Sequence, residues 1–164
     1  MKRFGFLAGL CLTVLSCVPA STLAAQEIKP FVRGSYQQII AARQGKPFII
    51  SFWSLTCSYC MVELGMLKKL ARKYPKLDLV LVSTDTPEEE KLVSATLEKA
   101  SPEKAEAWLF ADSYADRLCF EVDKHWYGEL PRTYFFNAND EVTAISGKLD
   151  EAELERWIEQ QGFH

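Results

Sequence analysis

The chain has no apolar run of the length a membrane span needs, and it has few of the residues from which disulfide scaffolds and metal sites are built. Its longest apolar stretch, Phe4 to Val18, is fifteen residues, whereas a membrane-spanning helix takes roughly 20. Of the five cysteines, Cys11 and Cys17 fall in that stretch, which leaves Cys57, Cys60 and Cys119. Three cysteines in a domain of this size do not make a disulfide framework, so a hydrophobic core must hold the fold. Positive charge is also scarce, with 19 basic against 22 acidic residues and a net charge of −3. A mildly acidic domain is a poor nucleic-acid binder. No low-complexity tract, no repeat and no Pro/Gly/Ser linker divides the chain, so one domain is the simple reading.

The N-terminus carries Lys2 and Arg3, then the apolar run, then Pro19 and small residues ending in ASTLAA. That is the layout of a secretory signal peptide. Cleavage after Ala25, with Ala24 as a close rival, leaves residues 26–164 as a domain exported to the periplasm, two charges more negative than the whole chain. An uncleaved anchor is one alternative. Lipidation at Cys17 is another, because Val14-Leu15-Ser16-Cys17 approximates a lipoprotein box, although Leu15 stands where a smaller residue is usual.

The remaining sequence alternates strand and helix signals. Phe48 to Trp53 is an apolar and aromatic run that predicts a buried strand. After Cys57, residues Cys60, Leu64, Leu67, Leu70, Ala71 and Tyr74 share one helical face, and Pro75 ends the pattern. Leu77 to Val82 predicts a second strand, and Thr86-Pro87-Glu88-Glu89 predicts a capping box opening a helix to about Ala100. A short strand at Ala107 to Phe110 and a helix from Ser113 to Val122 make up a weakly patterned middle. Arg132 to Phe136 and Val142 to Ser146 read as a hairpin through Asn137-Ala138-Asn139-Asp140, and Asp150 with Glu153 caps a last helix striped by Leu154, Trp157 and Ile158. Upstream, Ser35 and Gln38 predict a helix capped there and ending near Gly45. The order βαβα, then ββα, predicts an α/β sandwich with a mixed sheet.

Cys57 and Cys60 therefore lie at a strand-to-helix junction. Such a pair can be a structural disulfide, half of a metal site or a working redox couple. A staple closing so short a loop constrains the unfolded chain little. A zinc set of Cys57, Cys60, Cys119 and His125 has its second pair too widely spaced, and Met61 follows Cys60 where haem attachment requires histidine. Redox chemistry fits the position best. A helix N-terminus stabilises a thiolate at Cys57, while Cys60, one turn further on the apolar face, is shielded and placed to resolve a mixed disulfide.

FWSLTCSYC after a strand, with LPRTYFF about seventy residues further on, resembles the thioredoxin superfamily and within it the exported TlpA-like thiol:disulfide oxidoreductases. The matching residues are Trp53, Cys57, Cys60, Glu63 and Pro131, over roughly Gly45 to the C-terminus. The resemblance implies a thioredoxin-like fold, a mixed central β-sheet flanked by helices on both faces. It implies a reductase of protein disulfides working through a Cys57–Cys60 dithiol/disulfide cycle with no dissociable cofactor or metal, as a monomer supplied with electrons by a membrane thiol carrier. It also implies that Pro131 is a cis-proline presenting the backbone of Leu130 to substrate. Trp53, four residues before Cys57, is either a substrate contact beside them or a wall of the site. Thr56, Ser51, Gly65 and the dipeptide Ser58-Tyr59 depart from the relatives' patterns, so their redox potentials do not transfer. A thioredoxin-fold carrier of copper or zinc and a non-catalytic binding module are the alternatives.

Other residues have two readings each. Glu63, one turn beyond Cys60, is either a proton handle tuning the cysteines or a solvated helix-face glutamate. Arg132 beside Pro131 is either a cation for a thiolate or ordinary surface charge. Cys119 shares an apolar helical face with Ala115, Leu118 and Val122 and reads as a buried structural cysteine. Trp108, Trp126 and Trp157 read as packing residues, and Asp85 as a turn residue.

Overall fold

The computed structural model describes residues 26–163. The proposed signal peptide, its cleavage after Ala25 and lipidation at Cys17 lie outside the described residues. In chain order the elements are β1 (Ile28–Phe31), α1 (Ser35–Ala41), β2 (Phe48–Trp53), α2 (Ser58–Lys73), β3 (Leu79–Ser83), a 3₁₀ turn (Pro87–Glu89), α3 (Glu90–Ala100), β4 (Glu106–Phe110), α4 (Ala115–Val122), β5 (Arg132–Phe136), β6 (Val142–Ser146) and α5 (Glu151–Gln160). The strands form one sheet in the order β1-β4-β3-β2-β5-β6. β1, β4, β3 and β2 run parallel, while β5 and β6 are antiparallel.

Strands β2 and β3 are buried along their whole length. Because successive side chains point to opposite faces, a strand covered on both sides must be apolar at nearly every position. The sheet accordingly divides two cores. Ile49, Trp53, Leu79, Leu81, Ala107, Leu109 and Phe135 pack with α2, α3 and α5. Phe48, Ile50, Phe52, Val80, Val82, Trp108, Phe110, Tyr134 and Phe136 pack with α1 and α4. The expected mixed sheet with helices on both faces is what forms. Among the described residues, no helix is long and apolar enough to cross a membrane.

Several boundaries differ from expectation, among them the start of α4 at Ala115 and not Ser113. The second strand runs Leu79–Ser83, two residues later than its apolar run begins, because Leu77 is used in a turn onto the Tyr74 carbonyl. Ser35 does not cap α1: Gly34 precedes the helix with φ +87°, and the Ser35 hydroxyl accepts the Val32 N–H instead. The helix ends at Ala41, short of Gly45. Strand β1 was not legible at all. It is four residues long, contains Pro30 and lies at the sheet edge, where proline is tolerated and alternation has no room to show.

The edge strand is nevertheless anchored by Phe31, which is 1% exposed and contacts the rings of Phe52, Trp108 and Phe110. Truncating a ring enclosed in this way removes its transfer energy and leaves a cavity. Phe31→Ala should lower stability by about 3–5 kcal/mol in urea unfolding, whereas Val32→Ala on the exposed side should stay within about 0.5 kcal/mol.

Candidate active site

Cys57 is the N-cap of α2, with extended backbone, and its Sγ accepts the Cys60 N–H at 3.1 Å. The helix begins there because Cys57 turns out of the extended chain: its N–H bonds the Ser54 carbonyl, and its own carbonyl accepts the Cys60 and Met61 N–H groups. The first turn carries no acidic residue, so the unpaired N–H groups and the helix dipole act at Cys57 without a neighbouring acid on α2. Cys57 and Cys60 form a disulfide, with Cα atoms 5.2 Å apart. The pair is unequal. Cys57 is partly exposed, whereas Cys60 is fully buried in the core beneath α2.

Glu63 follows one turn later and is buried at 2% exposure. Its Oε1 accepts two hydroxyl hydrogen bonds, from Ser51 at 2.9 Å and Thr133 at 2.8 Å. These two residues lie directly opposite each other in the antiparallel β2–β5 pair, so their side chains leave the same face of the sheet as neighbours. Oε2 has no partner. Burial pushes the Glu63 carboxyl above its ordinary value, and hydrogen bonds from Thr133, Ser51 and the Leu149 backbone only partly oppose this. The solvated-glutamate reading is therefore wrong: Glu63 is a core carboxyl behind the cysteines.

The loop before the disulfide is held from the adjacent strand. Trp53 and Ser83 are register partners at the ends of β2 and β3, and the Thr84 N–H extends the ladder to the Trp53 carbonyl. Asp85, two residues past β3, then reaches the backbone and side chains that follow β2. Its carboxylate accepts the Ser54 hydroxyl at 2.9 Å, the Leu55 N–H at 3.0 Å and the Ser83 hydroxyl at 2.6 Å.

Just before β5, the antiparallel neighbour of β2, the Leu130–Pro131 peptide bond is cis. Pro131 is buried and its carbonyl accepts the Gly147 N–H, while Leu130 is half-buried. Among the described residues, neither backbone polar group of Leu130 has a hydrogen-bond partner. The loop leading there is set by Trp126, whose ring packs on Phe52 and whose Nε1 donates to the Glu129 carbonyl.

Several sequence expectations need correction or assignment. Trp53 is not a substrate contact: it is 1% exposed, enclosed in the α2 core, and its Nε1 is unpartnered. Its place at the end of a strand buried on both faces makes it a wall behind the disulfide. Arg132 is not free to meet a thiolate, since its guanidinium is held by Asp123 at 2.7 Å, Ser146 and Tyr134. The four-residue zinc set does not assemble: Cys60 and Cys119 lie in the two cores on opposite faces of the sheet, and the His125 side chain is 90% exposed. Among the described residues, no cluster of three metal-ligating side chains occurs. Cys119 is a buried packing residue, its thiol pushed up to about 11 chiefly by burial. Sequence reasoning missed the Ser51–Thr133 pairing and the reach of Asp85. The available signal was a hydroxyl in each of two otherwise apolar strands.

No protein-family model matches the chain, and no curated protein matches it in sequence. Solved structures do match in shape. A secreted Mycobacterium tuberculosis disulfide oxidoreductase homologous to Escherichia coli DsbE superposes with a TM-score of 0.56 at 20% identity, over 73% of this chain and 85% of that one. A thiol:disulfide interchange protein of the thioredoxin family from Chlorobium tepidum gives 0.59 at 16% identity, over 74% and 83%. StoA from Bacillus subtilis gives 0.51 at 22% identity, over 70% and 83%. The chain has a thioredoxin fold. Within that fold, Cys57 and Cys60 occupy the junction of β2 and α2, and Pro131 precedes β5.

Two measurements check this geometry. Because folding raises the Glu63 carboxyl above its unfolded value, the folded protein binds a proton that the unfolded chain has released. Stability of the oxidised protein should therefore fall as pH rises from about 4.5 through the folded-state value. Glu63→Gln should lose that slope, unfold at higher urea than wild type at pH 7, and show its advantage shrink toward pH 4. Cys119 should resist iodoacetamide at pH 8 in the native protein and react only on unfolding, as mass spectrometry would read.

Proposed function

We propose that this chain is a thiol:disulfide oxidoreductase, a reductase of protein disulfides in the periplasm. The observation that carries the reading is the inequality of the two bonded cysteines, one partly exposed at a helix N-cap and the other fully buried one turn behind it. Once both are reduced, the Cys57 thiolate attacks one sulfur of a substrate disulfide. A Cys57–substrate mixed disulfide forms and the other substrate sulfur leaves as a thiolate. Cys60 then attacks Cys57 Sγ, closes the Cys57–Cys60 bond and expels the second substrate thiolate. Two electrons have passed from the protein dithiol to the substrate. Restoring the dithiol takes two electrons from an external donor dithiol, which we assign to a membrane thiol carrier.

The surrounding residues have matching roles. The unpartnered backbone of Leu130 beside Pro131 is suited to an extended substrate strand, which binds through main-chain hydrogen bonds. Glu63, with its pKa raised by burial, serves as the proton handle for the resolving thiol. The reducing direction, the membrane donor and the monomeric state follow from the TlpA-like resemblance. Export follows from the proposed leader in residues 1–25, with Cys17 as an alternative lipid anchor.

A Cys60→Ser variant should trap mixed disulfides through Cys57 in a periplasmic extract, and Cys57→Ser should trap none. Failure of Cys60→Ser to trap any partner would count decisively against the enzyme. Equilibration of the wild type in glutathione buffers fixes the direction: a reductase stays largely oxidised where an oxidant such as DsbA would be reduced.

A further inference from the structure

Asp85 is buried at 7% exposure, and nothing in the proposed cycle uses it. Three donors converge on its two oxygens: the Ser54 and Ser83 hydroxyls, and the Leu55 N–H divided between both oxygens at 3.2 and 3.0 Å. Such a site takes a carboxylate, which only accepts. Among the described residues, no salt bridge reaches it, so its charge is balanced by hydroxyl and amide dipoles alone.

The chain of donors fixes a direction. Ser54 has one hydroxyl proton and gives it to Asp85 Oδ1. The 3.0 Å contact between the Ser54 and Thr56 hydroxyls must then have Thr56 as the donor. The Thr56 N–H also donates to Ser54 Oγ, at 3.2 Å, which fills both of its acceptor positions. Thr56 is the residue before Cys57, and its only hydroxyl proton is committed away from the sulfur. What its oxygen offers a neighbour is lone pairs, polarised by a buried negative charge two hydrogen bonds behind.

We infer that Asp85, acting through Ser54 and Thr56, is a positioning residue that destabilises the Cys57 thiolate and so sets the pair toward the reducing side. The inference rests on the reading of Cys57 as the attacking cysteine. The helix terminus favours the thiolate, and Asp85 opposes it. Of the other titratable groups, Glu63 on α2 is held by Ser51 and Thr133, and Arg132 on β5 by Asp123. Neither is linked to Thr56. A dithiol whose thiolate is less stabilised gives up its electrons more readily, since stabilising the reduced form is what makes a strong oxidant.

The experiment compares Asp85→Asn and Thr56→Val with wild type. Asparagine keeps an oxygen for Ser54 and Leu55 and a nitrogen for Ser83 while removing the charge; Thr56 is exposed, so its substitution leaves the fold intact. Two quantities are read: the pH dependence of Cys57 alkylation in reduced protein, and the glutathione equilibrium constant. Asp85→Asn should move Cys57 alkylation to lower pH and shift the equilibrium about tenfold toward the dithiol, or about 30 mV toward the oxidising side. Thr56→Val should move both the same way, by about threefold. If Asp85→Asn does not fold, Thr56→Val decides alone. Alkylation and equilibrium within twofold of wild type in both variants, or a shift to higher pH, would overturn the inference; so would a shift in Asp85→Asn with none in Thr56→Val. If wild type does not exchange with glutathione at all, the oxidoreductase reading fails, while the alkylation profiles still test Asp85.

Discussion

Strand β2 is covered by a core on each face and paired on each edge, parallel to β3 and antiparallel to β5. Its C-terminal end is therefore held from every side. From that point the chain must leave the strand, run through Ser54 to Thr56 and enter α2 at Cys57. Every group around the disulfide is placed relative to this end. Ser51 and Trp53 come from β2 itself, Asp85 from beyond β3, Thr133 and Pro131 from β5 and its approach. A reactive cysteine gains precision from this arrangement, because sites mounted on the ends of packed elements are held better than sites within loops.

Two carboxyl groups are buried close to this end, and the sheet treats them differently. Glu63 receives two hydroxyls on one oxygen, and burial outweighs its hydrogen bonds, so its proton is held more tightly than usual. Asp85 receives donors on both oxygens. Leaving a buried polar atom unpaired costs on the order of 1–3 kcal/mol, and both orphaned side-chain atoms among the described residues, Glu63 Oε2 and Trp53 Nε1, belong to residues packed behind the disulfide. Both therefore fall at one place in the interior, where a native structure leaves few such groups unpaired.

The parts of the fold that were legible in the sequence are those governed by local periodicity. Continuous apolar runs marked β2 and most of β3, and the hairpin of β5 and β6 was bounded at the residues observed. Asp150 capped α5 as its spacing with Glu153 implied, its side chain accepting the Glu153 N–H. β1 was hidden because four residues with a proline carry no pattern, and only pairing with β4, nearly eighty positions away, makes them a strand. Trp53 stayed open between a substrate contact and a wall for a related reason: the face it occupies is set by the helices that cover the sheet.

Sequence by itself determined the chemistry on offer: a CxxC pair at a strand-to-helix junction, a carboxylate one turn beyond it, a Leu-Pro step downstream, and a mildly acidic charge balance. Those are local facts, fixed by residue identity and by backbone periods of two and 3.6. Only the tertiary structure decided how the groups meet. It set Ser51 opposite Thr133 so that Glu63 is held between them, brought Asp85 to Ser54, tied Arg132 to Asp123, and separated Cys119 from the disulfide by a sheet. The reason is physical: strand register and the choice of covered face are settled by long-range burial and pairing, and neither leaves a signature within the short windows where sequence patterns are read.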